Sequence, residues 1–321
     1  MANGISKRQR FWTLFQHLFE KPLIGAVHSQ TLLRRVAGLH AWLCYPRPKD
    51  VRLQTGELSG VAGHWCDRGQ PIVATGHKKV VLWLHGGAFT VGGVGSHGAW
   101  AASLAAASGA RAFLADYRLA PEHPFPAAPE DAEAAYRGLL AAGYEPSSIA
   151  VAGDSAGGAL AFALLARLRA AGLPDPAAIV AVSPWFDLSL SGESVRTNLR
   201  SEAMVPESWL RRTAQLYANG QQLDSPALSP LFETWDRPTP PTMLLVGEGE
   251  LLRDDTERMA IKLADTGGQV EVLRQAGAGH IWPVRMGLTP EADYANNRIA
   301  AFLRRAFWPE THFQLDLAEE R

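Results

Sequence analysis

The chain has 321 residues, enough for one large domain with a substantial core. Its 31 basic and 32 acidic side chains leave a net charge of −1, which gives nucleic acid or another polyanion nothing to follow and makes a small neutral molecule the expected partner. Two cysteines, Cys44 and Cys66, with no cysteine–histidine grouping at ligand spacing, exclude a disulfide scaffold and argue against a structural metal, and neither metal nor organic cofactor is expected.

The chain opens with Lys7, Arg8 and Arg10 ahead of Phe11, Trp12, Leu14 and Phe15. Gln16, His17 and Glu20 interrupt the apolar run and no small-residue cleavage site follows, so this segment reads as part of a mature, cytoplasmic protein. No stretch approaches the ~20 apolar residues that span a bilayer. The apolar side of the first segment is expected to be buried on a core as part of a lid, in preference to lying on lipid.

From about residue 54, short apolar runs alternate with helical patterns. Strands are predicted at 61–66, 80–84, 111–116, 149–152, 179–183, 242–246 and 270–273, with a further one near 53–58. Crossover helices are predicted at 99–108, 129–142, 156–171, 253–265 and 291–306, four of them stopped by Gly109, Gly143, Gly172 and Gly267. The pattern implies an α/β fold: a central, mostly parallel eight-stranded sheet with helices on both faces. Residues 1–50 and 186–228 look helical without an intervening strand. They are expected to meet as a cap over the C-terminal edge of the sheet, where open α/β folds bind ligands. The core is then split into 51–185 and 229–321.

Two motifs carry chemistry. Gly153-Asp154-Ser155-Ala156-Gly157 fits G-x-S-x-G, a tight strand-to-helix corner that leaves a serine hydroxyl exposed. His85-Gly86-Gly87-Ala88-Phe89, also directly after an apolar run, fits the glycine-rich loop that cradles an oxyanion beside such a corner. Ser155 is the candidate nucleophile, and an N-cap serine is the plain alternative. The N–H groups of Gly86, Gly87 and Ala156 are assigned as oxyanion donors.

A serine needs a base, and the base needs an orienting acid. His280 lies in the glycine-rich run 277–280 between the last predicted strand and the last helix, and the order Ser, acid, His favours it over His85, which suits a structural hydrogen bond under the oxyanion loop. His123, in a proline-rich turn, is expected to pack. The acid falls among Glu248, Glu250, Asp254 and Asp255. Glu250 is preferred to Glu248, while Asp254 and Asp255 would already lie in the helix.

These residues resemble the hormone-sensitive-lipase-like esterases of the α/β-hydrolase superfamily. The resemblance rests on 85–89, on Asp116-Tyr117-Arg118-Leu119-Ala120-Pro121-Glu122-His123-Pro124-Phe125-Pro126, on 153–158 and on Ser183-Pro184-Trp185, and spans roughly 80 to 285. It implies a serine carboxylesterase acting on neutral, fairly apolar esters through an acyl-enzyme, with lactones or acetyl esters as related substrates, and a cap made from two distant pieces. Receptors that resemble the family lack the catalytic histidine, so His280 speaks against a non-catalytic binding role. Where related enzymes commonly place Asp, this chain has Glu250, and the Asp116-Tyr117-Arg118 segment is expected to buttress the fold. A homodimer is compatible with the sequence.

Overall fold

The computed structural model describes residues 5–69 and 79–309. Eight strands, β1 (Val51–Leu58), β2 (Val61–Arg68), β3 (Val80–Leu84), β4 (Arg111–Ala115), β5 (Ile149–Asp154), β6 (Ala178–Val182), β7 (Thr242–Gly247) and β8 (Val270–Gln275), form one sheet in the order β1-β2-β4-β3-β5-β6-β7-β8. β2 runs antiparallel to both its neighbours, and every other pairing is parallel. Three strands run two residues past their predicted ends, because the ladder continues through positions such as Asp154 that composition alone marks as loop.

The helices are α1 (Lys7–Phe15), α2 (Lys21–Ala26), α3 (Gln30–Cys44), α4 (Val94–Ala107), α5 (Ala127–Ala141), α6 (Ala156–Ala170), α7 (Ser194–Thr197), α8 (Glu207–Ala218), α9 (Arg253–Asp265) and α10 (Pro290–Phe307), with a π-helical turn, Gln16–Glu20, joining α1 to α2. α4 begins five residues before the predicted start. This added turn contains Gly95 and Gly98, and at Gly98 the helix lies close to Leu53 of β1.

β3 shows how the core is built. All five of its residues are buried, and they alternate between two layers: Val80, Leu82 and Leu84 face the layer containing α5, α6 and α9, while Val81 and Trp83 face α4 and α10. A sheet covered on both faces reads as a continuous apolar run for this reason. The parallel strands end together at one edge, with Leu84 beside Gly153, Asp154 beside Val182 and Gly247 beside Gln275.

Above that edge the N-terminal helices meet the 186–228 segment. Lys21 Nζ donates to the carbonyls of Leu199 and Glu202, and Arg212 donates to the Val27 carbonyl. The second segment is less helical than expected. It contains only the one-turn α7 and the three-turn α8, the rest being turns held by buried polar groups such as Asp187.

The expected burial of the first segment's apolar side is overturned. Gln9, Gln16 and Glu20 are buried, while Phe11, Leu14, Leu18 and Phe19 are 54–60% exposed. The inner face is polar because it bonds loop backbone: Thr13 Oγ1 donates to the Gly277 carbonyl and Gln16 Nε2 to the His280 carbonyl. His123 likewise differs from expectation, since its turn leaves it exposed.

Candidate active site

Ser155 sits at the turn from β5 into α6 with φ +52° and ψ −120°, a conformation that L residues rarely adopt. Its N–H donates to the Val182 carbonyl and its own carbonyl accepts from Trp185 and Ala159, so the surrounding backbone fixes the strained turn. The flanking glycines are required by space: a Cβ on Gly157 would run into the Leu84 carbonyl, and one on Gly153 into the Gly157 backbone. This packing sets the start of α6 against the end of β3. The N-terminal amide of Ala156 and the positive end of the helix dipole thereby lie beside the hydroxyl.

His280 and Glu250 are brought together from two different strand ends. His280 Nδ1 lies 2.8 Å from Glu250 Oε2, and since a carboxylate only accepts, the proton is on Nδ1 and Nε2 is left as the basic nitrogen. Glu250 Oε1 accepts from the Gly247 amide at 2.6 Å and from Ser183 Oγ at 2.8 Å. Ser183 Oγ in turn accepts from the Ile281 amide at 3.1 Å, so one hydroxyl ties the Glu250 loop to the His280 loop. Burial works against charging His280, but the hydrogen bond and charge of Glu250, with Glu202 and Asp154 behind it, raise its pKa above the ordinary imidazole value.

Glu248 is exposed, which separates it from the imidazole. Asp254 accepts from the Ser194 amide and pairs with Arg253, and Asp255 accepts from the Asp187 amide. Burial, together with the Asp187 carboxylate, pushes Asp255 up to about 8. These acids anchor the 187–194 turn.

Ser155, His280 and Gly87 line one cavity of about 120 Å³. Its remaining wall is mainly apolar and comes from the N-terminal helices and the 186–228 segment, including Leu23, Ile24 and Val36 on one side and Met204, Val205 and Trp209 on the other. The oxyanion loop requires one correction. The Gly86 amide donates to Asp154 Oδ1 at 3.1 Å and is unavailable to a substrate oxygen. Gly87, at φ +118°, and Ala88 have amides with no protein acceptor among the described residues, as does Ala156. Gly86 is a buttress, and a side chain there would collide with Asp154.

Several contributors were not singled out from the sequence. Asp154 holds the Gly86 amide with one oxygen, and its other lies 3.1 Å from His97 Nε2, joining the elbow, the oxyanion loop and α4. Glu202, buried in the 186–228 segment, accepts from the amides of Met204, Val205 and Leu251 and so fixes the loop that carries Glu250. Burial raises its pKa, with the Glu250 charge adding and His280 opposing. The one signal for these roles was Asp154 and Ser183 standing inside the quoted motifs. His85 donates from Nδ1 to the Gly86 carbonyl and stacks on Tyr117, whose hydroxyl donates to the His85 carbonyl. Burial, with His97 nearby, lowers the His85 pKa to about 4. It supports the loop from below as a neutral ring.

A strand order with one antiparallel member, a strained serine after the central strand, and a carboxylate and an imidazole hydrogen-bonded to each other past the ends of the last two strands define an α/β-hydrolase architecture. Residues 81–284 match the family model for the alpha/beta hydrolase fold. The chain is 33% identical over 302 residues to an esterase of Acinetobacter venetianus, covering 91% of this chain and 97% of that protein. It is 39% identical over 228 residues to an acetyl-hydrolase of Streptomyces hygroscopicus, covering 71% and 76% of the two. The crystal structure of an esterase from the bacterial hormone-sensitive lipase (HSL) family superposes with a TM-score of 0.86 at 33% identity, covering 96% of this chain and all of that one. The chain belongs to the α/β-hydrolase fold family, within its bacterial HSL group.

Proposed function

We propose that the protein is a serine carboxylesterase in which Ser155 is the nucleophile, His280 the base, Glu250 the acid, and the amides of Gly87, Ala88 and Ala156 the oxyanion donors. The observation that carries this reading is the Glu250–His280 hydrogen bond, because it leaves Nε2 basic in the cavity that Ser155 also lines. Ser155 Oγ attacks the ester carbonyl carbon while His280 Nε2 takes its proton; the carbonyl oxygen becomes an alkoxide held by the free amides. As the tetrahedral intermediate collapses, the C–O bond to the alcohol breaks and His280 returns the proton to the departing oxygen. Water then repeats the cycle on the acyl-enzyme and releases the acid. Each amide donor is worth ~3 kcal/mol of barrier.

The two cap pieces act as one lid, and their apolar wall favours neutral, uncharged acyl groups. An acetyl-hydrolase among the relatives supports acetyl esters within that class. The unpaired Cys44 and Cys66 suit a reducing compartment, and we place the enzyme in the cytoplasm.

A panel of p-nitrophenyl esters of increasing chain length tests this. Wild type should prefer acetyl to butyryl groups over long chains, and Ser155→Ala should lose ~10⁴-fold or more in kcat. Undiminished hydrolysis by Ser155→Ala would overturn the assignment.

A further inference from the structure

The N-terminal helices turn their apolar side outward. Phe11, Leu14, Leu18 and Phe19 form an exposed strip along α1 and the π-helical turn, and Leu32, Leu39 and Leu43 form a second along α3. Neighbouring rings on the first strip touch: Phe11 stacks on Phe15, and Phe15 meets Phe19 at 5.1 Å between centroids. Four residues beyond Phe19, the half-exposed Leu23 belongs to the cavity wall, so the strip runs up to the mouth of the active site. An apolar surface of this extent on an otherwise well-packed chain marks an interaction site.

The charges select the occupant. Residues 5–48 carry seven cations and one acid, and that acid, Glu20, is buried against Arg285 and His40. Lys7, Arg8 and Arg10 are exposed on α1, and Arg35 is exposed on α3. On a helical wheel Lys7 falls between Leu14 and Phe11, Arg10 and Arg8 flank them on either side, and Arg35 falls beside Leu32 and Leu39. Two copies meeting through this face would set like charges against each other. An anionic bilayer accepts both features, with apolar side chains in the headgroup boundary and cations at phosphate level.

We propose that the outer face of the N-terminal helices docks on the surface of an anionic phospholipid bilayer, bringing the cavity mouth at Leu23 to the phase into which neutral esters partition. Docking is a property of the surface and does not depend on the reaction at Ser155.

Vesicle co-sedimentation of the full chain tests it, with phosphatidylcholine alone and with phosphatidylcholine containing phosphatidylglycerol. Wild type and Ser155→Ala should both bind the anionic vesicles, bind the neutral ones much less, and release as salt is raised. The combined variant Phe11→Gln, Leu14→Gln, Leu18→Gln and Phe19→Gln should lose binding by about tenfold or more while hydrolysing soluble p-nitrophenyl acetate at the wild-type rate. If that variant fails to fold, Lys7→Ser, Arg8→Ser and Arg10→Ser decides, with a severalfold loss on anionic vesicles only. No binding of wild type to anionic vesicles, or binding unaffected in both variants, overturns the proposal. So does a dimer in sedimentation velocity that the apolar-face variant dissociates in the absence of vesicle binding, since a second copy would then be the occupant.

Discussion

At the C-terminal edge of the sheet the buried carboxylates of Glu250 and Asp154 are partnered at every oxygen: Glu250 accepts from His280, Ser183 and Gly247, and Asp154 accepts from Gly86 and lies beside His97. In the N-terminal helices, buried oxygens of Gln9, Gln16 and Glu20 have no partner among the described residues, and large apolar side chains face outward. The first region has fixed geometry, which the proposed acid–base–nucleophile set requires, because a half-ångström error there costs rate. The second gives up local stability and keeps a surface. Its inner polar side serves the first region by bonding the backbone of the 277–280 loop.

The largest effects should come from the sheet edge. Glu250→Gln should lower kcat by ~10²- to 10⁴-fold, since the amide can neither accept from Nδ1 with charge nor stabilise the imidazolium. Because Glu250 raises the His280 pKa, and the base works only when neutral, activity is lost as pH falls through that raised value. Removing the carboxylate moves the acid limb of kcat/KM to lower pH even as the plateau drops. Glu248→Gln should leave both plateau and limb in place, and the reverse order of the two variants would reassign the acid.

Stability should divide the regions just as sharply. Leu82→Ala, at a fully buried strand position, should cost ~2–5 kcal/mol in denaturant unfolding. Leu14→Gln removes a side chain of the same size from the outward strip and should change stability by no more than ~0.5 kcal/mol. A loss above 2 kcal/mol for Leu14→Gln would mean that the strip is covered in the isolated protein.

The strand pattern was legible because β3, β5, β6 and β7 are buried on both faces and so must be apolar throughout. The elbow and the 277–280 loop were legible because closely spaced glycines are themselves a local signal, although the crowding that calls for Gly277 and Gly279 comes from Ile5 and Gln16. The wrong oxyanion donor had a different origin. Which amide of a glycine pair stays free depends on Asp154, 68 positions away in sequence, and no local rule reads that contact. Ser183 and Glu202 also act through backbone groups distant in sequence. For α1, periodicity identified which residues share a face but not which way the face turns, and the inner side was settled by hydrogen bonds to a loop some 260 positions on.

Peptide mapping after reaction with a fluorophosphonate tests whether Ser155 is the activated nucleophile, because the reagent phosphonylates a serine only where a base and an oxyanion site act on it together. A single mass addition is expected on Ser155 in wild type, lost in Ser155→Ala and strongly slowed in Glu250→Gln. Labelling at another serine, or an unmodified Ser155 in an enzyme that the reagent has fully inactivated, would contradict it.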